Sequence, residues 1–123
     1  MVLKSSYLRI GNFVFDKNGD ILIISSITKN SIHSIQKYEF IGCPIEWINP
    51  MPLSVEWLKK AGYKQLRRIE KTYSLGNFED NSSIYFTGVR FIHIQTGTHL
   101  EFLHELQNLH FCLFKEELKI TIS

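Results

Sequence analysis

Five histidines, two cysteines and twelve acidic side chains are the groups of this chain that could hold a metal or move a proton. Four of the histidines, His93, His99, His104 and His110, crowd the last third of the sequence, but their spacing argues against a metal site. His104-Glu105 opens like the zinc-protease pattern HExxH, yet the fifth position is Asn108. On a helix, His104 and His110 point about 120° apart rather than lying on one face. Glu101 and His104 resemble half of a carboxylate-bridged site, which needs several more such helices. Cys43 and Cys112 have neither CxxC spacing nor a histidine in metal-finger register, so the chain reads as reduced. Cys112, among apolar residues, is expected as a buried thiol. Cys43, in Gly42-Cys43-Pro44, is expected in a turn without a neighbour to lower its pKa. For acid–base or nucleophilic chemistry the candidates are His93, His104, Glu101 and Glu105, and none falls in a recognised motif. GxSxG, P-loop and GxGxxG patterns are all missing. The chain therefore reads as non-enzymatic, with no cofactor and no metal, although a triad assembled in space stays open.

The most usable polar feature is a basic window in which Lys59, Lys60, Lys64, Arg67, Arg68 and Lys71 stand against the single carboxylate of Glu70. Tyr63 and Tyr73 lie beside these charges. Cations suit phosphates and aromatic faces suit bases or nucleotide rings, so Lys59, Lys60, Tyr63, Lys64, Arg67 and Arg68 are the candidate ligand or nucleic-acid contacts. The alternative is a solvated helix end, where Lys59 and Lys60 complement the C-terminal dipole. The net charge of +2 implies no polyanionic partner by itself. Glu101, Glu105, Glu116 and Glu117 give the chain an acidic end opposite its basic one.

A length of 123 residues, 44% of them hydrophobic and 21% charged, fits one globular domain that forms a core without disulfides or metals. Residues 12–16 and 21–28 read as strands of a hairpin, with Asn18-Gly19 supplying positive φ, and residues 31–35 follow as a third strand. All three prolines fall in residues 43–52, an extended connector. Ser54 caps a short helix Val55 to Ala61 that Gly62 ends. Two to three more strands are expected between Gln65 and Gln95. There, alternation puts Val89, Phe91 and His93 on one side and Arg90, Ile92 and Ile94 on the other. Phe102, Leu106, Leu109 and Leu113 recur at helical spacing and predict a C-terminal helix from about Leu103 to Phe114 packed on the sheet by that stripe. Ile120 to Ile122 reads as a closing strand. The fold class is α+β: a curved antiparallel sheet or half-barrel with one short helix and one C-terminal helix on it, in a single domain over residues 1–123.

On the other side of that helix, His104, Gln107, Asn108 and Phe111 form a candidate partner surface, as does Trp47 beside the prolines. Buried hydrogen bonding of Gln107 and Asn108, and a core role for Trp47, are the competing readings. No apolar run approaches the ~20 residues of a membrane span, and Met1 to Ser6 lacks the core of a signal peptide, so a cytoplasmic protein without a membrane partner is expected.

Three stretches carry a resemblance: Leu8-Arg9-Ile10-Gly11-Asn12-Phe13-Val14, Met51-Pro52-Leu53-Ser54-Val55-Glu56-Trp57-Leu58, and His104-Glu105-Leu106-Gln107-Asn108-Leu109-His110-Phe111. They resemble a family of small proteins of Bacteroidetes phages, prophages and mobile elements, whose members run LRIGN-[YF]-V, PLTEEWL and VHQLQNLYFALTGEEL. Here Ser54-Val55 replaces Thr-Glu, and Phe114-Lys115 replaces Thr-Gly, removing a glycine that could end the last helix. The resemblance implies a genetic context, a location in the host cell, and no assigned activity, cofactor or catalytic residue. It points to a non-catalytic phage or mobile-element binding protein that engages a host or phage protein, or sequesters a small anionic ligand such as a nucleotide. The alternative is a nucleic-acid-binding accessory using the Lys59 to Lys71 patch. A homo-oligomer is left open.

Overall fold

The computed structural model describes residues 5–36, 39–76 and 81–122. The fold is α+β, and among the described residues the single sheet expected from sequence is replaced by two open antiparallel sheets, each of five strands. The chain divides into two compact units, Met1–Met51 and Pro52–Ser123.

The first unit carries β1 (Phe13–Phe15), β2 (Ile21–Ile27), β3 (Ser31–Gln36), β4 (Glu39–Pro44) and β5 (Asn49–Pro50), in the order β4-β3-β2-β1-β5. The β1–β2 hairpin forms as expected, by a different turn. Gly19 alone has positive φ (84°), and the Asp16 carboxylate accepts from the backbone N–H of Asn18 and Asp20. With the Gly19 N–H on the Asp16 carbonyl at 3.1 Å, this is a three-residue loop closed by a glycine bulge rather than a two-residue turn. Leu22 and Ile24 are buried while Ile23 between them is exposed, the period-2 signature of a sheet covered on one face. Leu8, Val14, Ile32, Cys43 and Ile48 complete that core. Cys43 is therefore a strand residue opposite Ile32 rather than the turn residue that its neighbours Gly42 and Pro44 suggest. Burial pushes its thiol pKa up, Asp16 adds to the rise, and Lys17 opposes it. Pro50 sits on the edge strand β5, where a missing N–H breaks no ladder.

In the second unit, α1 (Val55–Lys60) is followed by β6 (Lys64–Gln65), β7 (Thr72–Ser74), β8 (Ile84–Phe86), β9 (Phe91–His93), β10 (Thr98–Leu100) and α2 (Leu103–Phe114), with strand order β10-β9-β8-β7-β6. A helix as short as α1 is not stable alone. Ser54 Oγ accepts the Trp57 N–H at 3.2 Å, Gly62 takes φ 91°, and Leu58 and Ala61 are buried, the leucine side chain adding about 1.5–3 kcal/mol. Between Gln65 and Gln95 the strands β7, β8 and β9 match the two to three expected, while β6 and β10, at and beyond the ends of that stretch, are too short to carry a readable alternation. The last expected strand is missing: residues 120–122 are irregular, and the Thr121 N–H binds the Lys60 carbonyl at 2.8 Å.

α2 starts and stops where the sequence places it, but its buried face is rotated. Leu103, His104, Leu106 and Gln107 are buried, whereas Leu113, from the expected stripe, is 38% exposed. Phe102 offers no side-chain acceptor at the N-cap. Glu105 Oε1 instead accepts the N–H groups of Glu101 and Phe102 at 3.0 and 2.9 Å, satisfying donors the helix leaves open. The helix ends at Lys115 in the left-handed conformation, φ 59°, with its N–H on the Phe111 carbonyl. Cys112, expected buried, is exposed because it falls on the outer side of α2.

Candidate ligand-binding site

The basic residues of the second unit emerge on three consecutive elements. Lys59 and Lys60 close α1, Lys64 opens β6, and Arg67, Arg68 and Lys71 lie on the connection from β6 to β7, closed by the Leu66 N–H on the Thr72 carbonyl. Lys59, Lys64, Arg67, Arg68 and Lys71 are exposed, and none has an ion pair among the described residues. Lys60 is already engaged: its Nζ is 3.6 Å from Glu56 Oε1 and 4.7 Å from the centre of the Trp57 ring. Tyr63 and Tyr73 are 4% and 8% exposed, so neither offers a ring face to a ligand. Their aromatic bodies fill the core, and the window presents charge without a stacking platform.

The candidate partner residues separate in the same way. His104 and Gln107 are buried and do not reach the surface, Asn108 is half-buried, and Phe111 is 37% exposed. Trp47, in the first unit, is 46% exposed and carries Lys17 Nζ at 4.1 Å over its ring. Of the sequence's partner set, Phe111 and Trp47 present large apolar surface.

The histidines are placed structurally. His93 is buried with both ring nitrogens engaged: Nε2 donates to the Asn81 carbonyl at 2.6 Å, leaving Nδ1 to accept from Thr96 Oγ1 at 2.7 Å. Thr96 Oγ1 in turn accepts from Thr98 Oγ1 at 2.7 Å, so this chain ties β9 to β10. His104 stacks on Phe102 with ring centres 5.8 Å apart, and its buried Nδ1 has no hydrogen-bond partner among the described residues. Burial lowers its pKa against the opposing pull of Glu105. His110 is also lowered by burial, with Glu116 and Glu117 opposing. No group of three His, Cys, Asp or Glu side chains among the described residues could hold a metal ion.

A cleft of about 420 Å³ opens at the end of the second sheet, where β9 begins and β10 ends. Its apolar lining is the exposed Val89 together with the largely buried Leu53, Phe91 and Leu100. Its polar groups are Arg90, His99, Glu101 and Glu105. The register pairs Leu100 with Phe91 and His99 with Ile92, which brings Arg90, His99 and Glu101 to the same end of the sheet. None of the three side chains has a hydrogen bond or ion pair among the described residues. From sequence, Arg90 stands out only by its place in the alternation, His99 only among the crowded histidines, and Glu101 only beside His104 and Glu105. The alternation was the available signal; the β9–β10 register that gathers them was not.

Among the described residues no helix is long and apolar enough to cross a membrane. The chain matches no protein-family model, no curated protein and no solved structure.

Proposed function

We propose that the protein is a non-catalytic binding protein of a phage or mobile element that engages an anionic partner in the host cell through the basic surface of its second unit. That partner is a host or phage protein with an acidic face, or a small anionic ligand such as a nucleotide. The observation that carries this reading is the set of five exposed cations, Lys59, Lys64, Arg67, Arg68 and Lys71, with no ion pair among the described residues. Unpaired cations held on short elements attract anions without first breaking an internal pair, and they speed encounter by steering. The burial of Tyr63 and Tyr73 favours this reading over single-stranded nucleic acid, which such surfaces grip by base stacking as well as charge.

Nucleic acid remains the second reading because the same cations would meet phosphates, with steep salt dependence and little sequence preference. Fluorescence anisotropy at two salt concentrations separates the two. The probes are labelled poly-glutamate peptide, a labelled nucleoside triphosphate, and labelled DNA and RNA, each against wild type and a Lys59→Glu, Lys64→Glu, Arg67→Glu, Arg68→Glu variant checked by circular dichroism. Binding of the peptide or the triphosphate, lost in the folded variant, supports the proposal. Preferential binding of DNA or RNA moves the nucleic-acid reading to first place, and no binding at low salt overturns both.

A further inference from the structure

We propose that the cleft at the β9–β10 end of the second sheet binds a small zwitterion, an ammonium and a carboxylate on an apolar body, which is the chemistry of an apolar amino acid. This site is distinct from the basic surface invoked above and uses none of its five cations.

The inference starts from the charges that line the cleft. One guanidinium, Arg90, and two carboxylates, Glu101 and Glu105, share a space of about 420 Å³ with the His99 imidazole. A polyanion such as a nucleoside triphosphate would find one cation and two like charges. A polycation would be opposed by Arg90. A wholly apolar ligand would strip water from Arg90, His99 and Glu101 and return no hydrogen bond, the costliest way to bury polar groups. A ligand bearing one charge of each sign matches the lining, and Val89, with the edges of Leu53, Phe91 and Leu100, accommodates its apolar part.

The lining is also held in place before any ligand arrives. Glu105 Oε1 is fixed by the backbone N–H groups of Glu101 and Phe102 at 3.0 and 2.9 Å. The turn presenting Arg90 is closed by its N–H on Thr87 Oγ1 at 2.9 Å and by the Thr87 N–H on the Arg90 carbonyl at 2.9 Å. The Leu53 N–H on the Glu101 carbonyl, also 2.9 Å, pins the apolar wall to the end of β10. Such preorganisation reduces the ordering cost of binding. In the bound state the Arg90 fork takes the ligand carboxylate in paired hydrogen bonds, and the ammonium lies toward Glu101 and Glu105.

The test uses the full chain and amide chemical-shift perturbation in nuclear magnetic resonance. The probes are L-phenylalanine, L-phenylalaninamide, which lacks the carboxylate, N-acetyl-L-phenylalanine, which lacks the ammonium, and adenosine triphosphate. Phenylalanine should move the amides of Arg90, His99 and Glu101 at millimolar concentration. Each one-ended analogue should bind about tenfold more weakly, the effect expected of one charge-assisted hydrogen-bonded contact. In Arg90→Gln the difference between phenylalanine and its amide should disappear, and in Glu101→Gln the difference from the acetyl compound should shrink. Both positions are exposed, so the variants keep the fold. The proposal is overturned if phenylalanine leaves those amides unmoved, if either analogue binds as well as the parent, or if the triphosphate binds the cleft more tightly.

Discussion

Replacing Lys115 with glycine should stabilise the protein. Lys115 ends α2 at φ 59° and ψ 25°, where its N–H reaches the Phe111 carbonyl at 2.8 Å. An L-residue with a Cβ pays roughly 1–2 kcal/mol to occupy this left-handed region. Glycine occupies it freely, but loses about 0.5–1 kcal/mol more chain entropy on folding. The net gain is about 0.5–1 kcal/mol. The Lys115 side chain is exposed and without an ion pair among the described residues, so its removal breaks no contact beyond a few tenths of a kcal/mol of interaction with the helix dipole. Lys115→Ala is the control, because it loses the same charge and keeps the Cβ. Thermal unfolding followed by far-UV circular dichroism should place Lys115→Gly about 2–5 °C above Lys115→Ala for a chain of this size. If the glycine variant is no more stable than the alanine variant, the helix does not end in the left-handed conformation.

Two further outcomes follow from the second unit. Ser54→Ala removes the acceptor of the Trp57 N–H and should cost about 1 kcal/mol in urea unfolding, whereas Ser54→Gly should cost only a few tenths; equal costs would show that the cap bond is not what holds α1. Burial holds His104 and His110 below the ordinary histidine pKa of about 6.5, so their contribution to stability is complete above that pH. It falls as the pH drops through 6.5, because the unfolded chain binds the proton first. The melting temperature should therefore decline between pH 7 and pH 5, and His104→Phe, which keeps the stack on Phe102, should flatten the decline; an unchanged slope would contradict the assignment.

The parts of the fold legible in the sequence are those with strong local chemistry. Gly19, Ser54 and Gly62 punctuate the chain by hydrogen bonds and positive φ that depend on a few neighbours, and the elements beside them form where expected. The extent of α2 was legible from its period, but its buried face was not. A leucine stripe does not say which turn meets the sheet, and here Leu103, His104 and Gln107 take that role while Leu113 faces outward. β4 was hidden because Gly42 and Pro44 carry turn chemistry, although pairing with β3 overrides it. Division into two sheets is a property of long-range pairing, which no local pattern encodes. The basic residues were legible and their exposure follows from charge. The burial of Tyr63 was not legible, since a tyrosine beside lysines can face either way, and neither was the cleft, since Arg90, His99 and Glu101 meet only through the β9–β10 register.

The central claim is that the unpaired cations of the second unit bind an anionic partner. The most direct measurement is the anisotropy of labelled poly-glutamate peptide and labelled nucleoside triphosphate with wild type and with the Lys59→Glu, Lys64→Glu, Arg67→Glu, Arg68→Glu variant, at low and near-physiological salt. The account predicts that wild type binds at least one of these probes, that binding weakens with salt, and that the folded variant does not bind. Binding that survives the charge reversal, or no binding by wild type at low salt, would contradict it.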